Sequence, residues 1–270
     1  MSESYRTTIQ KIQERLAEKQ QPLPDSLLFY SQILAAIASS GISPSDITQH
    51  KKDLFARRMA HNKHALHLND IPVDLEATGR LLARLAEIVA KQFPHMQEES
   101  GRLLVIARDK GALKERLQMW YSDPGDGAGV ANSLLHGSIY PTLLSLAEKL
   151  QDSIPRDSWS RGFCPICGGK PDFSYLEKEH GARWLVCSRC DTEWEFYRLV
   201  CPFCSNADHG MLSYITDEQG IYRLYLCDKC RGYLKCIDAR KTEDDVLVPL
   251  ERILTSSMDQ QGLDKNYTCH

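Results

Sequence analysis

Apolar residues in VDLEATGRLLARLAEIVAKQF fall at Leu75, Leu82, Leu85, Val89 and Phe93, spacings that build up from steps of three and four. Such a stripe is one face of an amphipathic helix. ESGRLLVIARDKGALKERLQMWY repeats the period with Leu103, Ile106, Leu113, Leu117 and Trp120. Upstream, PDSLLFYSQILAAIASSG offers Asp25 and Ser26 as helix caps and Gly41 as a stop. TLLSLAEKLQ closes the set, with Pro141 suited to a first-turn position. Residues 1–156 therefore predict five or six helices in a bundle-like array.

After QDSIPRDSWSRG the grammar changes. Short β-rich runs (PDFSYL, RWLVC, TEWEFYRLVC, GMLSYIT and IYRLYLC) alternate with turn-prone pieces such as GGKP and TDEQG. VLVPLERIL in the tail predicts a strand or helix that packs back. SDPGDGAGVANS reads as a connecting loop; it matches neither a dinucleotide fingerprint nor a phosphate loop. HNKHALH places His61, His64 and His67 three residues apart, on part of one helix face. A solvated face or helix end is expected there.

Charge narrows the function classes. Net charge is −3 and the isoelectric point about 6.3, so nothing global draws the chain to phosphate backbones or acidic lipid. The opening MSESYRTTIQKIQERLAEKQ has no apolar signal core, and no run approaches the ~18 apolar residues of a membrane span. The expectation is a cytoplasmic protein without membrane insertion.

The cysteines carry the chemistry. All ten lie at or beyond residue 164, and eight form four C-x-x-C pairs: Cys164/Cys167, Cys187/Cys190, Cys201/Cys204 and Cys227/Cys230. In a reducing compartment this pattern reads as metal ligation before disulfides. Nineteen residues separate Cys167 from Cys187 and twenty-two separate Cys204 from Cys227, both zinc-ribbon or rubredoxin spacings. CPICGGKP…LVCSRCD and CPFCSNAD…YLCDKCR repeat after 37 residues, each half complete in itself. Sequential pairing is therefore expected over a cross-braced one.

A ribbon this small has too little apolar surface to fold alone. The metal supplies the difference, roughly 10–16 kcal/mol in model peptides. Phe163, Trp184, Trp194, Phe203 and Tyr225 are expected to pack beside the sulfurs, and TEWEFYRLV to be the strand that couples the two ribbons. Four thiolates suit zinc or iron equally in geometry. Cys236 reads as a small buried hydrophobe, and Cys269 with His270 as a frayed end.

Four readings follow. A nucleic-acid-binding ribbon needs clustered cations, yet residues 157–240 hold 11 Lys/Arg against 12 Asp/Glu. A catalytic zinc keeps an open position, whereas each site here has four thiolates; the chain is not expected to be an enzyme. A rubredoxin-like electron-transfer or redox-sensing module requires iron. A metal-stapled adaptor that presents a surface to another protein is the fourth.

At CPICGGKP, LVCSRCDTEWEFYRLVCPFC and CDKCRGYLKCID the chain closely resembles the FdhE family of formate dehydrogenase accessory proteins. The resemblance implies an α+β fold: a helical bundle-like domain (1–156), rubredoxin-like or zinc-ribbon modules at 157–198 and 199–240, and a tail (241–270) packing on them. It implies two metal ions, iron or zinc, each held by four of the eight paired cysteines. It also implies a cytoplasmic partner, the catalytic subunit of formate dehydrogenase, engaged before export, and it leaves a homodimer open. Only Gly168 follows its knuckle as a glycine; Asp191, Ser205 and Arg231 follow the others, so unequal N–H···S bonding is expected.

Overall fold

The computed structural model describes residues 3–18, 24–42, 49–122, 129–154 and 159–269. The connecting loop at 123–128, the expected boundary near 156 and His270 lie outside them. The chain divides into two compact units, 1–46 with 68–146, and 47–67 with 147–270.

The first unit is helical: α1 (Glu3–Glu18), α2 (Asp25–Ala38), α4 (Leu75–Gln92), α5 (Gln97–Arg108), α6 (Lys110–Ser122) and most of α7 (Val130–Leu150). Helix α4 starts where Asp74 accepts the Glu76 and Ala77 N–H groups at 3.0 Å, and it buries Leu82, Leu85 and Val89 as the stripe predicts. The periodic run 99–121 is two helices, not one: Asp109 turns extended and its carboxylate accepts from Gly111 and Ala112, restarting the chain as α6. Asp25 is the first helical residue and Pro24 precedes it, so neither Asp25 nor Ser26 caps α2.

Pro141 corrects a second expectation. It sits in the interior of α7, where its missing N–H and ring cost about 3 kcal/mol. The helix persists because residues 138–147 are buried all round, and tertiary packing outweighs the local penalty.

The second unit is built on one six-stranded sheet. Its strands are β1 (Pro171–Leu176), β2 (Arg183–Cys187), β3 (Glu193–Phe196), β4 (Leu212–Thr216), β5 (Tyr222–Cys227) and β6 (Gly232–Asp238), in the order β3-β2-β1-β6-β5-β4. Each ribbon contributes an antiparallel three-stranded half. The halves join where β1 runs parallel to β6, Phe173 opposite Lys235 and Tyr175 opposite Ile237. One face is covered by α8 (Val248–Leu254) and α9 (Ser256–Asp264): Val248 packs on Phe173, Val186 and Ile237, and Met258 on Leu224, Leu226 and Tyr233. The tail thus packs back as helix, and Thr268 bridges to Gly232.

The remaining helix, α3 (Gln49–Ala60), belongs to this unit. It ends before His61, because Asn62 takes a left-handed conformation (φ 59°). The three histidines therefore do not share a helix face. The chain runs on extended, and Ala65 and Leu66 donate to Pro165 O (2.8 Å) and Ile166 O (2.7 Å) of the first cysteine knuckle.

Candidate metal centres

Each C-x-x-C pair is one tight turn, and the four turns are alike. The residue after the second cysteine donates its N–H to the carbonyl of the first: Gly168 to Cys164 (3.0 Å), Asp191 to Cys187 (3.3 Å), Ser205 to Cys201 (2.9 Å) and Arg231 to Cys227 (2.8 Å). That residue is left-handed in every case, at φ 74°, 54°, 57° and 57°. Three non-glycine residues accept the strain of this region, which the surrounding contacts must hold. Asp191 is held by Arg252, and Arg231 donates to Lys265 O (2.6 Å) and Asn266 O (3.2 Å). At the first knuckle glycine has a steric reason as well, since a Cβ on Gly168 would lie 2.7 Å from His64 Nδ1.

The turns aim their sulfurs at two points. Cys164, Cys167, Cys187 and Cys190 form one cluster; Cys201, Cys204, Cys227 and Cys230 form the other. Pairing is sequential, as the spacing predicts. In the first cluster Cys164–Cys190 is 3.6 Å, Cys167–Cys187 3.4 Å and Cys167–Cys190 3.4 Å. In the second, Cys201–Cys230 and Cys204–Cys227 are both 3.7 Å. Four sulfurs about 2.3 Å from one ion stand about 3.8 Å apart in a tetrahedron, so both clusters fit a single metal. Among the described residues neither cluster includes His, Asp or Glu, and Cys236 and Cys269 join neither.

The electrostatics point the same way. Burial disfavours bare thiolate and pushes the Cys190 and Cys201 thiols up, and the Cys230 thiol up to about 11, while hydrogen bonds from neighbouring groups overcome burial and hold Cys164 and Cys227 down. A cation at the centre of each cluster removes that penalty and makes all four sulfurs ligands. The donor set is soft and complete, the composition of a structural site.

The surroundings of the two clusters differ. The first has all four cysteines at most 1% exposed. Its sulfurs also meet non-ligand donors: Gly169 N–H to Cys167 (3.4 Å), Arg189 N–H to Cys187 (3.3 Å) and the Thr192 hydroxyl at 3.0 Å from Cys190. The 65–66 segment covers one side, with His64 edge-on to Phe163. On another, the Arg252 guanidinium of α8 spans Asp191 (2.7 Å), Asp172 (2.8 Å) and Cys187 O (3.1 Å). Sequence reasoning missed Arg252, which stands 61 positions from Asp191 in a tail segment read only as a strand or helix that packs back.

The second cluster buries Cys201 and Cys227 but leaves Cys204 and Cys230 half-buried. Cys201 and Cys227 also line a cavity of about 250 Å³ with Leu199, Tyr214 and Tyr225. Leu199 and Tyr214 are 60% and 54% exposed.

The coupling of the ribbons is another correction. TEWEFYRLV is not a coupling strand: only Glu193–Phe196 is β, and it forms a sheet edge three strands from β6. The ribbons are locked instead by the β1–β6 ladder and by two further contacts, one from a side chain and one between backbones. Arg183 donates to Tyr197 O and to Val200 O (2.6 Å), pinning the chain as it enters the second knuckle. Gly162 lies so close to Pro202 that a Cβ would meet its carbonyl oxygen at 1.7 Å. Of the aromatics expected beside the sulfurs, Phe203 and Tyr225 line one cavity with Cys201 and Cys227, while Trp194 donates to Arg161 O (2.9 Å), Trp184 stacks on Tyr175, and Tyr225 also lies under Arg183.

Comparison with known proteins gives a consistent answer. Residues 163–198 match the family model described as FdhE, central domain. The chain is 31% identical to the Protein FdhE homolog of Aquifex aeolicus over 266 residues, covering 94% of this chain and 90% of that one. It is 27% identical to Protein FdhE of Escherichia coli, covering 92% and 82%. The crystal structure of the FdhE protein from Pseudomonas aeruginosa superposes with a TM-score of 0.72 over 100% of this chain and 95% of that one, at 18% identity.

Proposed function

Because the chain belongs to the FdhE family, we propose that it is an accessory protein for maturation or activity of formate dehydrogenase, and that it binds the enzyme's catalytic subunit in the cytoplasm. The single observation that carries this reading is the match along nearly the whole chain to a protein named for that family. The site supports a binding role and not a catalytic one. Each cluster offers four thiolates, and a metal held by all four has no position left for substrate. Each bound ion would supply rigidity, clamping two knuckles beside its own half of the sheet. The protein's own residues then present the surface, including the exposed apolar side chains Tyr197, Leu199, Met211 and Tyr214.

Co-purification tests the reading. The wild-type chain is expected to retain the formate dehydrogenase catalytic subunit, and a Cys201→Ser/Cys204→Ser variant to lose it. Failure of the wild type to retain that subunit overturns the proposal. Metal analysis after anaerobic purification distinguishes iron from zinc, with two ions per chain expected.

A further inference from the structure

The two clusters share a donor set and a turn geometry, yet they meet solvent differently. Replacement of a thiolate ligand proceeds by approach of an incoming donor to the metal or of an electrophile to the sulfur. Both routes need a path to the ligand atoms, so the shell around a site governs its exchange as much as the ligands do.

At the first cluster the path is closed. Its four cysteines are buried to within 1%. Ala65 and Leu66 are tied by backbone hydrogen bonds to Pro165 and Ile166, inside the first knuckle itself. Arg252 ties the second knuckle to α8 through Asp191 and Cys187 O. At the second cluster Cys204 and Cys230 reach the surface, and Cys201 and Cys227 border the 250 Å³ cavity.

We propose that the clusters are of two kinds: a closed structural site at Cys164/Cys167/Cys187/Cys190, and an exchangeable metal–thiolate site at Cys201/Cys204/Cys227/Cys230. The ligands it admits are soft donors, a thiolate or a chelating nitrogen–sulfur compound, entering beside Cys204 and Cys230. The inference rests on the reading that both clusters hold metal. It adds that the second is the site at which metal is gained, lost or read out.

The test uses the intact, metal-loaded chain. Metal content is counted first; fewer than two ions per chain at the outset counts against the metal reading itself and leaves nothing to exchange. The protein is then treated with a chromogenic chelator and, separately, with iodoacetamide. In the latter, a cysteine sulfur attacks the reagent's methylene carbon, the S–C bond forms as C–I breaks, and iodide leaves. Metal is expected to leave in two phases differing by about tenfold or more in rate. Mass spectrometry should place the first metal-linked alkylation on Cys204 and Cys230. Cys269, which joins neither cluster, serves as an internal control that labels without metal loss, and slowly, because burial pushes its thiol up to about 11. A Cys201→Ser/Cys204→Ser variant should retain the slow phase alone. Loss of both ions at one rate, or labelling of Cys164–Cys190 first, overturns the proposal. So does complete resistance of Cys204 and Cys230 while Cys269 labels.

Discussion

Glu193 shows how a single residue carries a cost that the fold tolerates. Burial pushes its carboxyl pKa up and the Asp191 carboxylate adds to the rise, while the Tyr175 hydroxyl, 2.6 Å from Oε2, opposes it. A group whose folded pKa exceeds its unfolded value stabilises the fold fully at acid pH and loses that contribution as pH rises through the folded pKa. Glu193→Gln keeps an acceptor for Tyr175 and removes the charge. The variant is therefore expected to melt above the wild type near about pH 7, with the gap closing as pH falls toward the carboxyl range. Paired thermal melts check this, since acid-driven metal loss is common to both proteins; a gap that widens on acidification contradicts it. The knuckles teach a related lesson. The residues that close the turns differ, Gly168, Asp191, Ser205 and Arg231, yet all four are left-handed with the same N–H to carbonyl bond. Closing the C-x-x-C turn with that hydrogen bond takes the same backbone whatever the side chain.

At the scale of elements, the sheet is held from one face by two short helices, α8 mostly apolar and α9 largely polar, and specific polar contacts fix how each docks. Arg252 is the main one on α8, bridging Asp172, Asp191 and Cys187 O. These partners hold its guanidinium firmly charged. Arg252→Ala leaves two carboxylates facing each other without a cation and should cost about 3 kcal/mol, read as a lower denaturant midpoint. Arg252→Lys should recover only part, because one ammonium cannot span three acceptors as a guanidinium does. Full recovery by lysine would reduce the contact to charge alone. On α9, Asp259 accepts from Lys235 Nζ (2.6 Å) and Tyr233 Oη (3.0 Å), so that helix is fastened to β6 by polar contacts as well as by Met258.

At the scale of the whole molecule, two kinds of core coexist. The helical unit buries an apolar interior of Leu, Ile and Val, while the second unit hangs six strands on eight sulfurs. Removal of metal should therefore act selectively. Chelation in mild denaturant is expected to abolish the β signal in circular dichroism and leave most helical ellipticity in place. Loss of both signals in one step would show that the helical core also depends on the metal. The single sheet adds a second expectation. The β1–β6 ladder runs through both ribbons, so the six strands should melt together and not as two halves.

What the sequence determined by itself was local and chemical. Period set the type of most elements, because burying one face of a helix or strand leaves a repeat in the chain. Spacing of the C-x-x-C pairs determined which sulfurs meet, because a turn and a hairpin of about twenty residues permit little else. The tertiary structure decided what depends on partners distant along the chain. It placed Pro141 inside a helix, took His61, His64 and His67 off a helix face, and set residues 65–66 over the first knuckle. It joined the ribbons through β1 and β6 instead of through 192–200, and it closed one metal site while leaving the other open. None of these has a signature in sequence, since each depends on which surfaces remain to be covered once the strands have paired.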